Sequence, residues 1–284
     1  MSKVCKITKI SETISKYSLK SKKSLGQNFI LDLNLTDKIV QTMGEISAHN
    51  ILEIGPGPGA LTQSLLKFGA RRVIAIEKDP QFLAPLEELC KAFPGRLNVI
   101  NRDILSIDPE KFIDPPVKIV SNLPYNIGTQ ILLNLITVKS WPPFWDNLTF
   151  MFQKEVAERL VSRHKTKSYG RLSIVSQWRS TVKVLFEVNA SSFTPVPSID
   201  SSVVQFTPLP QPSFNAPKDT LEQIVKLSFG QRRKMLRKSL KVLDKNIESI
   251  LTTSKINPSL RPEELSIEQF CRLANALAPV NEKK

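Results

Sequence analysis

A glycine-rich turn after a buried strand places the tightest constraint on the fold of this chain. The segment Glu53-Ile54-Gly55-Pro56-Gly57-Pro58-Gly59-Ala60 continues an apolar run and precedes a helical pattern. Glycines let the backbone turn sharply and approach a ligand closely, and the N–H groups that open the next helix attract negative groups. In open α/β folds such a turn binds a nucleoside-bearing cofactor. Because Gly55, Gly57 and Ala60 also fit the dinucleotide pattern, the type of cofactor stays open, and a tight turn without a ligand is the alternative.

Short apolar runs alternate with helical patterns around this turn. Strands are predicted at 51–54, 72–77, 97–101, 117–121 and 148–152, with a closing β pair at 182–188 and 202–206. Asp79 is predicted to cap a helix that has Pro80 at its first position and ends near residue 92. Strands that alternate with helices predict an α/β fold with a doubly wound parallel sheet.

A Pro-rich stretch divides the chain. The segment Thr207-Pro208-Leu209-Pro210-Gln211-Pro212 predicts a stiff linker, and the pattern after residue 218 is helical without a strand candidate. We therefore predict a basic N-terminal arm at 1–24, an α/β domain at 25–207, a Pro-rich linker at 208–217 and a helical domain at 218–284. The arm lacks an apolar signal core and is predicted to be solvated, with a transit peptide as the alternative.

Positive charge is concentrated in three segments. The chain has 40 Lys and Arg residues against 26 Asp and Glu, a net charge of +14. Residues 1–24 carry +6, residues 151–180 carry +5 and residues 226–245 carry +7, which leaves −4 for the rest. A phosphate backbone favours clustered cations, so nucleic acid or an anionic membrane surface is the expected partner. The alternative for any single segment is a solvated helix face.

Cysteine, histidine and apolar content exclude several classes of protein. Cys5, Cys90 and Cys271 are far apart and odd in number, and the histidines are His49 and His164 alone. A disulfide framework and a zinc or other metal site are therefore not expected, and a reducing compartment, the cytoplasm, is predicted. No apolar segment approaches the ~20 residues that cross a bilayer, so no membrane partner is predicted.

Acidic side chains end two of the predicted strands. Glu77 ends the second strand, 22 residues after Gly55, where a carboxylate can accept both hydroxyls of a ribose. Asp103 ends the third strand, where its carboxylate can accept the exocyclic amine of a cofactor adenine. An ordinary cap or turn residue is the alternative for Asp103.

The sequence Asn122-Leu123-Pro124-Tyr125 follows the fourth predicted strand, at the sheet edge where ligands of such folds bind. An exocyclic amine on a base is a poor nucleophile, because its lone pair is delocalised into the ring. The side-chain oxygen of Asn122 and a backbone carbonyl at Leu123 or Pro124 could accept its two N–H bonds and free that lone pair. Tyr125 offers a ring on which an extracted base stacks. An ordinary strand-end turn is the alternative.

Further blocks complete the pattern from about residue 22 to the C-terminus. They are Leu25-Gly26-Gln27-Asn28-Phe29-Ile30, residues 53–62, residues 151–160, Tyr169-Gly170-Arg171-Leu172-Ser173, Phe193-Thr194-Pro195-Val196-Pro197 with Asp200-Ser201, and Phe229-Gly230-Gln231-Arg232-Arg233-Lys234. With the motifs above, the chain resembles the ribosomal RNA adenine N6,N6-dimethyltransferase family, and within it the bacterial enzymes that act on 16S RNA of the small subunit.

The resemblance implies a Rossmann-like class I methyltransferase sheet with a small all-helical RNA-binding domain, and S-adenosylmethionine as cofactor. It implies cofactor contacts from Asn28, Ile30, Gly55, Glu77, Asp103 and Asn122. The target amine would meet Asn122, Leu123 and Pro124, and the target adenine would lie between Tyr125 and Phe193. A core aromatic is the alternative for Phe193.

The implied activity is dimethylation of two adjacent adenines in a hairpin loop near the 3′ end of 16S RNA, by a monomer that takes part in small-subunit maturation. One alternative is an enzyme that acts on large-subunit RNA or on DNA. Another is a non-catalytic ribosome-assembly factor that uses the fold as a platform. A nicotinamide enzyme is a third, which the Asn-Leu-Pro-Tyr sequence disfavours.

Overall fold

The computed structural model describes residues 8–22, 25–122 and 127–278. Its strands are β1 (Phe29–Ile30), β2 (Asn50–Ile54), β3 (Arg72–Glu77), β4 (Leu97–Asn101), β5 (Val117–Asn122), β6 (Asn147–Gln153), β7 (Ser180–Val188), β8 (Phe193–Thr194) and β9 (Ser201–Pro208). Its α-helices are α1 (Ile10–Lys16), α2 (Leu33–Thr42), α3 (Ala60–Lys67), α4 (Leu83–Ala92), α5 (Gly128–Ile136), α6 (Lys154–Val161), α7 (Arg171–Arg179), α8 (Lys218–Gly230), α9 (Leu236–Ser239), α10 (Ile247–Thr253) and α11 (Ile267–Leu277).

A seven-stranded sheet with the order β4-β3-β2-β5-β6-β9-β7 forms the centre of the fold. Strands β2 to β6 run parallel, and β9 is antiparallel to β6. The parallel strands are continuous apolar runs because helices cover such sheets on both faces, and every residue of β2 is buried. The predicted α/β sheet is confirmed, and its antiparallel edge contains the predicted closing pair.

The strand order reverses between β2 and β5. From β2 the chain proceeds through β3 to β4 on one side, and β5 and β6 follow on the other side. In open α/β sheets this switch point leaves a crevice at the carboxyl ends of the strands. The glycine turn follows β2, Glu77 ends β3 and Asn122 ends β5, so the topology directs the predicted site residues to one place.

The chain divides into two compact units, and the division differs from the predicted domain limits. Unit 1 comprises residues 1–132, 143–157 and 183–207; unit 2 comprises residues 133–142, 158–182 and 208–284. Helix α7 belongs to unit 2 because Ile174 and Trp178 pack in one core with Leu221 and Phe270. The structure shows α8 to α11 in the region predicted to be helical, and no strand between residues 209 and 278.

The N-terminal arm is not the solvated segment that we predicted, over the part that the structure describes. Residues 10–16 form helix α1, Ile10 is 1% exposed, and Leu19 is buried in the core of unit 1. The lysines stay at the surface and pair there, as Lys16 does with Glu88. Within the described ranges, no helix is long and apolar enough to cross a bilayer.

Candidate active site

A cavity in unit 1 lies where the carboxyl ends of β2, β3 and β5 meet. It is lined by the glycine turn, by the block that contains β1, by the ends of β3 and β5, and by single residues from α2 and from the turn before α4. The lining residues are Gly26, Gln27, Asn28, Phe29, Ile30, Thr36, Glu53, Gly55, Pro56, Gly57, Pro58, Ala60, Leu61, Glu77, Phe82 and Asn122. Five predicted cofactor residues, Asn28, Ile30, Gly55, Glu77 and Asn122, therefore share one cavity.

The glycine turn exposes its backbone to this cavity. Gly55 and Gly57 have φ angles of +68° and +55°, which residues other than glycine rarely adopt. A Cβ atom built at either position would meet no atom within 4 Å, so open space lies next to the backbone. Gly59 differs, because a Cβ atom there would lie 2.7 Å from Leu89 Cδ1. The first two glycines thus allow a ligand to approach, and the third allows packing against α4.

Glu77 presents its carboxyl group at the end of β3 and is only 5% exposed. Burial raises its pKa, although the backbone N–H groups of Asp79 and Gly57 oppose that shift by hydrogen bonding. Gly57 N donates to Oε2 at 3.0 Å and Asp79 N donates to Oε1 at 2.7 Å. Both oxygens are therefore fixed in position at the cavity wall, and each keeps a lone pair that can accept a hydroxyl group.

Glu53 is a second buried carboxyl group of the cavity, and its sequence position next to the glycine turn predicts that it serves the cofactor. The side chain is 1% exposed, and Thr62 Oγ1 donates to Oε2 at 2.7 Å. Oε1 has no hydrogen-bond partner among the described residues. Burial raises the pKa of Glu53 to about 8, the Thr62 hydrogen bond opposes this shift, and the charge of Glu77 adds to it. Such an unpaired oxygen indicates a place for a donor or a cation from a ligand.

Asn122 is attached to the N-terminal block by its side-chain amide. Asn122 Nδ2 donates to the carbonyl oxygen of Asn28 at 3.3 Å. This bond uses one of the two N–H groups of the amide and orients it, and Oδ1 remains as an acceptor at the cavity. The block itself is held by antiparallel pairing of β1 with β8, with Ile30 opposite Phe193.

Asp79 connects the N-terminal segment to the strand that carries Glu77. Its buried carboxylate accepts hydrogen bonds from Lys22 Nζ at 2.8 Å, from Gln27 Nε2 at 3.0 Å and from Gln81 Nε2 at 2.7 Å. Burial alone would raise the pKa of Asp79, but these hydrogen bonds outweigh it and lower that pKa. The predicted role of Asp79 as a helix cap is confirmed by the hydrogen bond that it accepts from Gln81 N. No sequence pattern indicates its contacts with Lys22 and Gln27.

Two predicted site residues lie elsewhere than at the cavity wall. Asp103 caps the turn after β4, and its carboxylate lies 2.7 Å from Lys78 Nζ. The hydrogen bond from Lys78 lowers the pKa of Asp103. Phe193 is 1% exposed and packs in the core of unit 1, which agrees with the alternative prediction of a core aromatic residue. Their contacts with cofactor and adenine stay predictions. Leu123, Pro124 and Tyr125 lie outside the described residues.

The cavity contains oxygen acceptors but no cluster suited to a metal. No group of three or more His, Cys, Asp and Glu side chains that could hold a metal ion occurs in residues 8–22, 25–122 and 127–278. The two buried carboxyl groups and the exposed glycine backbone instead suit an organic ligand that brings hydroxyl groups and a positive charge.

Comparison with known sequences agrees with this geometry. A family model described as ribosomal RNA adenine dimethylase matches residues 18–279. The ribosomal RNA small subunit methyltransferase A of Ruegeria sp. (strain TM1040) is 48% identical over 277 residues, which covers 98% of this chain and 99% of the relative. The protein of the same name from Cereibacter sphaeroides (strain ATCC 17025 / ATH 2.4.3) is 50% identical over 269 residues, 95% of this chain and 96% of the relative.

Comparison with solved structures finds the same fold. A dimethyladenosine transferase from Plasmodium falciparum superposes with a TM-score of 0.69 at 26% identity, over 85% of this chain and 94% of that one. The 23S rRNA methyltransferase ErmE superposes with a TM-score of 0.64 at 25% identity, over 88% of this chain and 99% of that one. Both similarities extend over most of each chain.

Proposed function

The chain belongs to the ribosomal RNA adenine dimethylase family, and from that premise we propose that it dimethylates adenine N6 in small-subunit 16S RNA. The methyl donor is S-adenosylmethionine, and the targets are two adjacent adenines in a hairpin loop near the 3′ end. The protein acts as a monomer in the cytoplasm, during maturation of the small subunit. The 48–50% identity to small subunit methyltransferases, which extends over nearly the full length of the chain, supports this choice of RNA.

The observation that carries the proposal is that Glu53, Glu77 and Asn122 line one cavity beside an open glycine backbone. S-adenosylmethionine supplies a methyl group on a positively charged sulfur. The residues fit this group, because the fixed Glu77 oxygens can accept ribose hydroxyls, and the Glu53 carboxyl group, protonated when no ligand is bound, can ionise when its unpaired Oε1 meets the cationic amino group. Burial keeps water from these carboxyl groups and strengthens both contacts.

Asn122 positions the target amine. Its Nδ2 donates to Asn28 O, so Oδ1 is left to accept a hydrogen bond from the exocyclic nitrogen. Accepting that N–H draws the nitrogen toward tetrahedral geometry and directs its lone pair. A neutral amide is sufficient for this step, since its oxygen can accept an N–H bond of the amine while the positive charge moves from sulfur to nitrogen and the S–CH₃ bond breaks. Proximity and orientation are then the main contribution of the protein.

Basic side chains outside the cavity hold the RNA. In unit 2, Arg233, Lys234 and Lys238 are exposed, and they form no ion pair within the described residues. Free cations on one segment suit phosphate contacts, which position an RNA without reading its sequence. The folded RNA is recognised by shape, and the target base is splayed out of its loop.

The decisive experiment compares wild type with Asn122→Ala on 16S RNA, naked and within the small subunit. The variant is expected to lose at least about a hundredfold in kcat, because the amine loses its orienting acceptor. Its affinity for S-adenosylmethionine, measured by calorimetry, is expected to change less. Asn98→Ala, at an exposed position of edge strand β4, is the matched control and should behave as wild type. Undiminished methyl transfer by Asn122→Ala would refute the assignment.

The second candidate function is adenine methylation of large-subunit RNA. The TM-score of 0.64 to the 23S rRNA methyltransferase ErmE favours it, because the same sheet serves both targets. The assay therefore includes 23S RNA. Activity on 23S RNA alone would establish this candidate, and binding of 16S RNA without any methyl transfer would indicate a non-catalytic assembly factor.

A further inference from the structure

A second cavity, of about 180 Å³, lies within unit 2. Its walls come from the loop after α6, from α7, from the segment before α8 and from the first turn of α11. Side chains with ring faces or hydrogen-bonding groups line much of it, namely Arg163, His164, Tyr169, Gln177, Phe214 and Glu268. None of them belongs to the methyl-transfer site.

The size and the rings of this cavity suit one aromatic ring. A protein cavity of about 150 Å³ holds benzene, so the space here is sufficient for a single ring of a base. Phe214 is 39% exposed although it is large and apolar, and His164 is exposed beside it in the lining. Exposed rings at a cavity wall are what RNA-binding proteins use to stack unpaired bases.

Gln177 offers an acceptor of fixed orientation. Its Nε2 donates to the carbonyl oxygens of Leu160 at 2.8 Å and Ser162 at 2.9 Å. Both hydrogens of the amide are therefore used within unit 2, and Oε1 is left to accept from a ligand.

Tyr169 carries a buried hydroxyl group without a hydrogen-bond partner in the part of the chain that the structure describes. The residue is 1% exposed, and its ring packs edge-on against Phe229 at a centroid distance of 6.1 Å. Tyr169 Oη makes no hydrogen bond within the described residues. A phenylalanine would fill the same space without this unsatisfied group, so the hydroxyl indicates a function beyond packing.

The charges around the cavity distinguish between ligands. Glu268 lies in the first turn of α11 and is paired with Arg272 at 2.9 Å. Its carboxylate can accept a hydrogen bond from an amine at the cavity wall. Arg163, Lys165 and Lys167 are exposed on the adjoining loop, where a sugar-phosphate backbone would pass.

We propose that this cavity binds one unpaired, amine-bearing nucleobase (adenine, cytosine or guanine) of the ribosomal RNA, at a nucleotide other than the methylated one. Phe214 and His164 provide its stacking surface, and Gln177 Oε1, Glu268 and Tyr169 Oη meet its polar edge. The inference rests on the proposed function for the identity of the RNA. It gives unit 2 a base contact in addition to phosphate contacts, and therefore a means of selecting the RNA.

The first test is Tyr169→Phe in the full chain, with 16S RNA binding measured at one fixed salt concentration. The dissociation constant is expected to rise about threefold to tenfold, the value of one hydrogen bond. The midpoint of thermal unfolding should stay or rise, because the hydroxyl has no partner to lose, and the affinity for S-adenosylmethionine should not change. Unaltered RNA affinity, or a lower unfolding midpoint that shows a structural role, would overturn the proposal.

The second test is Phe214→Ala, with Phe112→Ala as the matched control. The two phenylalanines are 39% and 41% exposed, and Phe112 lies in unit 1. Loss of stacking at Phe214 should raise the dissociation constant for 16S RNA by about fivefold or more, and the control should bind as wild type. Equal effects of both variants would count against a base site at Phe214.

Methyl transfer by wild type separates this inference from the proposed function. If wild type methylates 16S RNA and both variants bind it normally, the base site alone is wrong. If wild type binds 16S RNA without methylating it, and the variants bind more weakly, the base site stands and the proposed activity fails. Ultraviolet crosslinks from 16S RNA to the peptides that contain His164 or Phe214 would locate the contact directly.

Discussion

Glu53 combines an acidic side chain with a site that disfavours its charge. Burial raises its pKa to about 8, while a glutamate in an unfolded chain ionises near 4.5. Between these pH values the unfolded carboxyl group is ionised and the folded one holds its proton, so unfolding releases a proton. A rise in pH therefore lowers the free energy of unfolding across this window, by up to about 1.4 kcal/mol per pH unit.

Glu53→Gln should remove this pH dependence. Glutamine has the shape of the protonated acid and keeps an acceptor for the Thr62 hydroxyl, but it has no proton to lose. We expect the variant to become increasingly more stable than wild type from pH 5 to pH 8, with the difference levelling off above that range. Urea denaturation of both proteins without cofactor, at unit steps of pH, measures it. A stability difference that is the same at every pH would contradict the raised pKa.

Alanine substitutions at Gly59 and Gly69 distinguish the cost of backbone strain from the cost of a steric clash. Their φ angles are +91° and +86°, but a Cβ atom at Gly59 would lie 2.7 Å from Leu89 Cδ1, whereas one at Gly69 would meet nothing within 4 Å. Gly69→Ala should cost about 1–2 kcal/mol of unfolding free energy, from strain alone. Gly59→Ala should cost about 1–3 kcal/mol more, from overpacking against α4. Chemical denaturation of both variants tests this, and equal losses would show that α4 moves aside freely.

At the scale of elements, the contact of Lys20, Lys22 and Gln27 with the turn before α4 holds one wall of the cofactor cavity. Lys22 and Gln27 are joined through the Asp79 carboxylate, and Gly26, Gln27 and Asn28 line the cavity. Gln81 adds two bonds to the backbone of Lys20, at 3.1 Å each. Because the backbone of Asp79 also donates to Glu77, the same residue connects the wall to the predicted ribose acceptor.

Asp79→Asn should therefore weaken cofactor binding. An amide cannot accept from Lys22, Gln27 and Gln81 together, so the wall loses charge-assisted bonds that are worth about 1.5–3 kcal/mol each. We expect the dissociation constant for S-adenosylmethionine, measured by calorimetry, to rise about tenfold. Lys22→Met removes one of these bonds from a half-exposed position, so it should fold normally and give a smaller rise.

Glu88→Gln is the matched control for this element. It removes the charge that Lys16 and Tyr17 contact at 2.6 and 2.9 Å; these contacts hold the same N-terminal segment, and the ion pair with Lys16 is about half exposed. Cofactor affinity should stay within about twofold of wild type, since exposed pairs contribute little. If the control weakened cofactor binding as much as Asp79→Asn does, a general loosening of the segment would explain both results.

The sequence predicts the elements whose pattern is local. The predicted strands at 72–77 and 97–101 coincide with β3 and β4, because short runs that contain valine and isoleucine and are bounded by turn residues favour strands. Strands β1 and β8 have two residues each and pair Ile30 with Phe193, so no local pattern indicates them. Helix α1 has seven residues and a polar composition, and it is stabilised by packing that only the folded chain provides.

The same distinction holds within the candidate site. Gly55 directly follows β2, Glu77 ends β3 and Asn122 ends β5. Because these strands are neighbours in the sheet, the order of elements along the sequence was enough to predict that the three residues lie together. The orientation of Asp103 depends on Lys78, and the burial of Phe193 depends on the core around β8, which sequence spacing does not specify. The raised pKa of Glu53 likewise results from complete burial, which a position next to a glycine turn does not by itself indicate.

At the scale of the whole molecule, the net charge of +14 comes from three basic segments, and these differ in how many cations are left to attract RNA. In the N-terminal segment Lys16 and Lys22 pair with Glu88 and Asp79, so part of its charge is neutralised within unit 1. In the segment at 226–245, Arg232 and Arg237 are likewise paired, with Glu263 and Glu248. Arg233, Lys234 and Lys238 are exposed and form no ion pair with any residue that the structure describes. The greater share of RNA attraction is therefore expected from unit 2.

Replacing Arg233, Lys234 and Lys238 by alanine tests this distribution of charge. Each phosphate contact contributes about 0.7–0.9 to the slope of the logarithm of the binding constant for RNA against the logarithm of salt concentration. The triple variant should therefore reduce that slope for 16S RNA by about two to three, with unchanged affinity for S-adenosylmethionine. The matched control replaces Arg71, Arg72 and Lys91, which are exposed in unit 1 outside the three basic segments. Because the control removes the same charge, an equal loss of slope would mean that net charge alone attracts the RNA, whereas a loss confined to the first variant would locate its phosphate contacts in unit 2.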